Sequence, residues 1–123
     1  MRFESHPPRH PEEMTTIETG ASCCTVVVTV DADPEVIMDM ESHARRGLGW
    51  FARFEGFVSG ALHKSTDGGR LIQYLQWRSE ADHLACMNDP RWDEEESTRS
   101  FLEHVVSGRA TMDVRIYDVI AIM

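Results

Sequence analysis

The sequence predicts an α+β fold, a ferredoxin-like β-α-β-β-α-β antiparallel sheet, and three observations predict it. Residues 57–77 read as a β-hairpin, a segment of helical periodicity lies on each side of that hairpin, and strand-like apolar runs open and close the pattern. Such a sheet carries both helices on one face, so its other face needs a cover of its own. Tyr74, Ile72 and the long last strand suit a second copy of the sheet, which predicts a homodimer.

The first strand is the run CCTVVVTV at residues 23–30, β-branched and nearly continuous, as a central strand buried on both faces would be. Asp31-Ala32-Asp33-Pro34 ends it, with Asp33 as helix cap and Pro34 at the first helical position, where a missing N–H costs nothing. Ile37, Met40, Ala44, Leu48 and Phe51 then recur at helical spacing and make one apolar stripe. In the hairpin, Val58, Gly60 and Leu62 alternate with Ser59, Ala61 and His63, and Asp67-Gly68-Gly69 supplies the reversal. The return strand, residues 70–77, presents Leu71, Gln73, Leu75 and Trp77 on one face and Ile72, Tyr74 and Gln76 on the other.

Ser79 and Asp82 predict a capping box opening a short helix with Leu84 and Met87 inward, interrupted at Asn88-Asp89-Pro90. A second helical piece is predicted over about 91–106, ended by Ser107-Gly108, with acidic residues 93–96 at its N-terminus. The last strand is expected over 109–122, with a bulge near Asp118 where the alternation breaks.

At 123 residues the chain is one domain, residues 21–123, preceded by a flexible extension, 1–20, whose prolines and polar residues show no periodicity. His6 and His10 in that extension lack the further ligands that a metal site needs. The net charge of -9 argues against nucleic acid or an anionic membrane as partner. No apolar run reaches the roughly 18 residues of a spanning helix, and no basic-then-apolar leader opens the chain, so the expected location is cytoplasmic. Cys23, Cys24 and Cys86 show no CxxC spacing and read as small buried hydrophobes.

Between the sheet and its helices lies the expected pocket for a small apolar ligand. Gln73 and Trp77 point toward it, four residues and roughly 13 Å apart along the strand at ~3.3 Å per residue. A buried amide or indole N–H needs a partner, and either a ligand or the fold itself can supply it. His63 is a candidate base toward a phenol, against a solvent-facing reading; His83 and His104 are helix-borne alternatives. Arg99 is the candidate to face an anion, against an ion pair with acidic residues 94–96. Tyr74, Phe51 and Phe101 complete the expected substrate-binding set. No glycine-rich phosphate loop, HExxH motif or metal-ligand grouping is present in the sequence, so no cofactor and no metal are expected.

The run GFVSGALHKSTDGGRLIQYLQWRSEADHLAC resembles the core of the antibiotic biosynthesis monooxygenase family. The features that carry the likeness are Gly56-Phe57, the hairpin from His63 to Gly68, and Tyr74, Gln76, Trp77 and Ser79. The resemblance implies a dimeric α+β barrel, and most of all the cofactor-independent oxygenases of aromatic polyketide pathways, which turn anthrone-like polyphenols into quinones with O2. In that family a side-chain amide and a tryptophan on the third strand are assigned to the site, which carries the roles over to Gln73 and Trp77. The polyketide oxygenases carry Asn where this chain has Gln73. A polyketide cyclase, a haem-degrading monooxygenase with His83 as axial ligand, and a non-catalytic ligand-binding dimer are the competing readings.

Overall fold

The computed structural model describes residues 24–123, so the expected N-terminal extension and Cys23 lie outside the described residues. Strand β1 (Cys24–Ala32) leads into helix α1 (Pro34–Phe51), then strands β2 (Phe57–Lys64) and β3 (Arg70–Trp77). Helix α2 (Glu80–Met87), a 3-10 turn (Pro90–Glu94), helix α3 (Glu96–Val106) and strand β4 (Ala110–Tyr117) complete the chain. The sheet order is β2-β3-β1-β4 with every neighbouring pair antiparallel, which is the ferredoxin-like topology.

β1 is hydrogen-bonded along both edges, to β3 and to β4, which is why its residues are so uniformly β-branched. Val26 and Val30 are buried under the helices together with Leu71 and Leu75 of β3. On the same side, Cys24, Phe51, Phe54, Trp77 and Cys86 form a core at one end, and Ile37, Met40 and Ala110 form another around Val30. Val28 touches both and stands between them.

The hairpin reverses as its residues require. Gly68 has φ 79°, a left-handed value that favours glycine, and Asp67 accepts from Gly69 N at 2.9 Å and from the Ser65 hydroxyl at 2.7 Å. The pairing slips between Phe57 and Ser59, a bulge that the alternation does not reveal. Its effect is to leave Val58 exposed and to put Phe57 beside Trp77 on the helix side, where an unbroken alternation would have placed Val58.

Four local expectations are corrected. Asp33 precedes α1, but its side chain makes no capping bond; the backbone carbonyl alone accepts, from Ile37 N at 2.9 Å. In α2 the Ser79 hydroxyl does cap Asp82 N at 3.1 Å, and with the helix so phased His83 and Cys86 turn inward while Leu84 and Met87 are largely exposed. The helix expected over 91–106 is split at Glu95, whose carboxylate accepts from Ser97 N at 2.8 Å and starts α3 afresh. β4 ends at Tyr117, paired with Thr25, and the chain leaves the strand at Asp118 rather than bulging there.

Gly56 joins α1 to β2 at φ 86°, and a Cβ built there would stand 2.4 Å from the Asp82 carboxylate. Asp82 is itself held by Ser79 Oγ at 3.0 Å and Arg78 Nε at 2.9 Å. Gly56→Ala therefore adds left-handed strain to the displacement of the Asp82 carboxylate from Ser79 and Arg78, and the expected destabilisation is about 2–3 kcal/mol. Urea unfolding checks it; a loss under about 1 kcal/mol would mean that Asp82 moves aside freely.

Candidate active site

The two cores leave a cavity of about 290 Å³ between the sheet and the helices. Its floor is Val26, Val28, Gln73 and Leu75 of the sheet; Ala44, Gly47 and Phe51 of α1 form one wall, and Thr98 and Phe101 of α3 another. Met87, Leu102, Met112 and Val114 line the cavity and are also exposed, so they mark its mouth, between α2, α3 and the edge strand β4. At Gly47 a Cβ would meet only Thr98 Oγ1, at 3.7 Å.

Polar groups are few inside. The Gln73 amide has no hydrogen-bond partner among the described residues, and Val28 and Leu62 flank its backbone as cross-strand neighbours. His83 lines the cavity from α2, is 5% exposed, and its Nδ1 is enclosed without a partner. Burial holds its imidazole below the usual histidine range, against a weaker opposite pull from Glu80. His43 lines the α1 side, with Nε2 3.5 Å from Asp39 Oδ2. The same Asp39 oxygen lies 2.7 Å from His104 Nε2, whose Nδ1 accepts from Arg109 Nε at 3.0 Å, so His104 in its neutral form carries its proton on Nε2. That hydrogen bond to His104 is the main reason the Asp39 carboxyl sits below its ordinary range.

Burial pushes the Cys86 thiol up to about 11, so it is protonated at neutral pH and unavailable as a nucleophile. Among the described residues no three His, Cys, Asp or Glu side chains converge to hold a metal ion, and no helix is long and apolar enough to cross a membrane.

No protein-family model matches the chain. It is 37% identical over 79 residues, 63% of its own length and 70% of the relative's, to the tetracenomycin-F1 monooxygenase of Streptomyces glaucescens. It belongs to the antibiotic biosynthesis monooxygenases. The fold of this monooxygenase is shared with SnoaB, a cofactor-independent oxygenase from Streptomyces nogalater: TM-score 0.62 and 20% identity over 84% of this chain and 98% of SnoaB. It is also shared with the ActVA-Orf6 monooxygenase of Streptomyces coelicolor, solved with nanaomycin D: TM-score 0.59 and 22% identity over 84% and 92% of the two chains.

The monooxygenase brings Gln73, Phe51 and Phe101 to the cavity together. Trp77 stands one layer behind it, fully buried, with its indole N–H enclosed and without a partner. Its ring meets Phe51 edge-on at 6.1 Å and lies tilted 5.8 Å from His83. Three other candidates fall outside. His63 pairs with Ile72, not with Gln73, and is exposed on the opposite face. Tyr74 shares that face, where its hydroxyl accepts from Gln76 Nε2 at 3.1 Å. Arg99 is exposed, and Thr98 and Phe101 take the inward positions of α3.

The sequence offers His83 and His104 alike as helix-borne candidates and gives no signal for His43. Ser79 was the signal for the first, because a helix beginning after it turns residues 83 and 86 to one side. A fold that keeps His83 neutral loses stability in acid by a specific route. Above the ordinary value near 6.5 both states are neutral; as pH falls through it, the unfolded chain takes up a proton that the fold refuses. Stability referable to His83 therefore drops below that value and levels off beneath the lower folded value. Unfolding measured between about pH 7.5 and about pH 5.5 should show a smaller loss in His83→Phe than in wild type.

Proposed function

We propose that this monooxygenase converts an anthrone-like aromatic polyketide intermediate to a quinone with O2, the substrate supplying the electrons and no metal or flavin taking part. The observation that carries the reading is one unpartnered amide, Gln73, set in the floor of a mostly apolar cavity. A volume of about 290 Å³ is at the low end for small-molecule sites, which suits one flat fused-ring molecule better than an extended poly-β-keto chain. The relatives' names agree in chemistry: a tetracenomycin-F1 monooxygenase, a cofactor-independent oxygenase, and a monooxygenase holding nanaomycin D.

The reaction balances as R2CH2 plus O2 giving R2C=O and H2O. Loss of one proton leaves a carbanion whose charge spreads onto the ring oxygen, and the Gln73 N–H donates to that oxygen. The ring carbon adds O2 to form a peroxide, which takes up a proton and expels water as the remaining C–H bond breaks. Phe51 and Phe101 hold the ring plane, and the apolar walls keep bulk water from the carbanion. Trp77 acts from behind, keeping Phe51 and His83 in place.

Oxygen uptake by EDTA-treated protein given dithranol tests the reading. Protein-dependent uptake is expected, with a product that has gained one oxygen and lost two hydrogens. Gln73→Ala should lower kcat by about 100-fold. It should leave stability within about 1 kcal/mol, because the amide has no partner in the fold to lose. Trp77→Phe should cost about tenfold, through misplacement of the residues it backs. No uptake above the spontaneous rate would sink the oxygenase reading.

We also propose that a second copy of the chain covers the helix-free face, where Val27, Ile72 and Tyr74 are only half-buried. Light scattering on purified protein should give twice the 14.0 kDa chain mass, and a monomer at micromolar concentration would end the idea.

A further inference from the structure

His43 and His83 are the titratable groups among the cavity's lining residues, and they are not equivalent. His43 leans toward Asp39 at the α1 rim, a carboxylate that already serves His104. His83 is held deep by a capped helix, with its own N–H bonded to Ser79 O at 3.2 Å and its ring against Trp77. Its side chain has no hydrogen bond to any described residue, and leaving a buried imidazole so costs stability unless something else completes it. The charged groups of α2 do not complete it: Asp82 is tied to Arg78 and Ser79, and Glu80 is exposed. From the facing elements it meets Trp77, and the Cys86 thiol nearby on α2 is protonated.

Resting on the oxygenase reading above, we propose that His83 is the catalytic base, and that it takes the proton from the ring hydroxyl of the substrate's enol form. The O–H bond breaks as an N–H bond forms on the imidazole; the electron pair stays on oxygen and spreads to the ring carbon that attacks O2, the oxidant. The imidazolium then returns its proton to the peroxide, whose outer oxygen leaves in water, so the residue ends the cycle neutral. Burial keeps the ring neutral at pH 7, as an acceptor must be. The substrate class that follows is a fused-ring enol or phenol with its hydroxyl turned toward α2, away from an O-alkylated analogue.

Two measurements on the intact protein test this, with His83→Phe and His83→Gln beside wild type and melting curves to confirm folding. In anaerobic tryptophan-fluorescence titrations, wild type should bind 1-hydroxyanthracene about tenfold more tightly than its O-methyl ether; His83→Phe should lose the preference and keep ether binding. In dithranol-dependent oxygen uptake, both variants should lose about 100-fold in kcat, and the acid limb of the wild-type pH profile should vanish from what remains. Variants that turn over at the wild-type rate with an unchanged acid limb would overturn the assignment of His83 while leaving the oxygenase reading intact. A wild type that consumes no oxygen would overturn both.

Discussion

Phe51 lies among three rings, Phe57 stacked at 6.1 Å, Trp77 edge-on at 6.1 Å and Trp92 edge-on at 5.2 Å, and Trp92 in turn stacks on Phe54 at 5.5 Å. These rings come from α1, β2, β3, the segment after α1 and the 3-10 turn, so one apolar cluster joins five parts of the chain. Close-packed aromatic contacts of this kind have preferred geometries and resist sliding. The closed end of the cavity is consequently the rigid end. Trp92 adds a directional tie, donating its indole N–H to Cys86 O at 2.8 Å and so binding the 3-10 turn to α2.

The architecture was legible wherever local chemistry decided it. The hairpin turn rests on Asp67 and Gly68 alone, the start of α2 on Ser79, and the start of α1 on Pro34; each acts within a few residues. Features that depend on a neighbour in space were not legible. The slip at Val58 arises because Phe57 must reach the Phe51 and Trp77 rings. The break at Glu95 was hidden because acidic residues suit both a helix's first turn and its cap, and only the second use occurs here.

The candidate site divided along the same line. Gln73 could be placed by the period-2 alternation of one strand, whereas His63 and Tyr74 fell on the other face by that same rule. For Arg99 the helix had to be phased, and its start was misplaced by the run 91–106. In α2 the phase is set by Ser79 and not by the apolar nature of Leu84 and Met87, and that phase turns His83 to the cavity. A polar ring was taken inward, while Met87 was left at the mouth and Leu84 on the surface, the reverse of what hydrophobicity alone would assign.

The cavity wall at Gly47 is thin in a way that bears on how such a protein diversifies. A glycine in the middle of a helix weakens that helix by about 1 kcal/mol relative to alanine. Here a methyl would meet only the Thr98 hydroxyl at an ordinary contact distance. One substitution on α1 can therefore narrow the bore while firming the helix, so tailoring the chamber to a slimmer ring system carries no penalty in the backbone. Substrate shape and fold stability are separable at this position, and a lineage can explore the first without endangering the second.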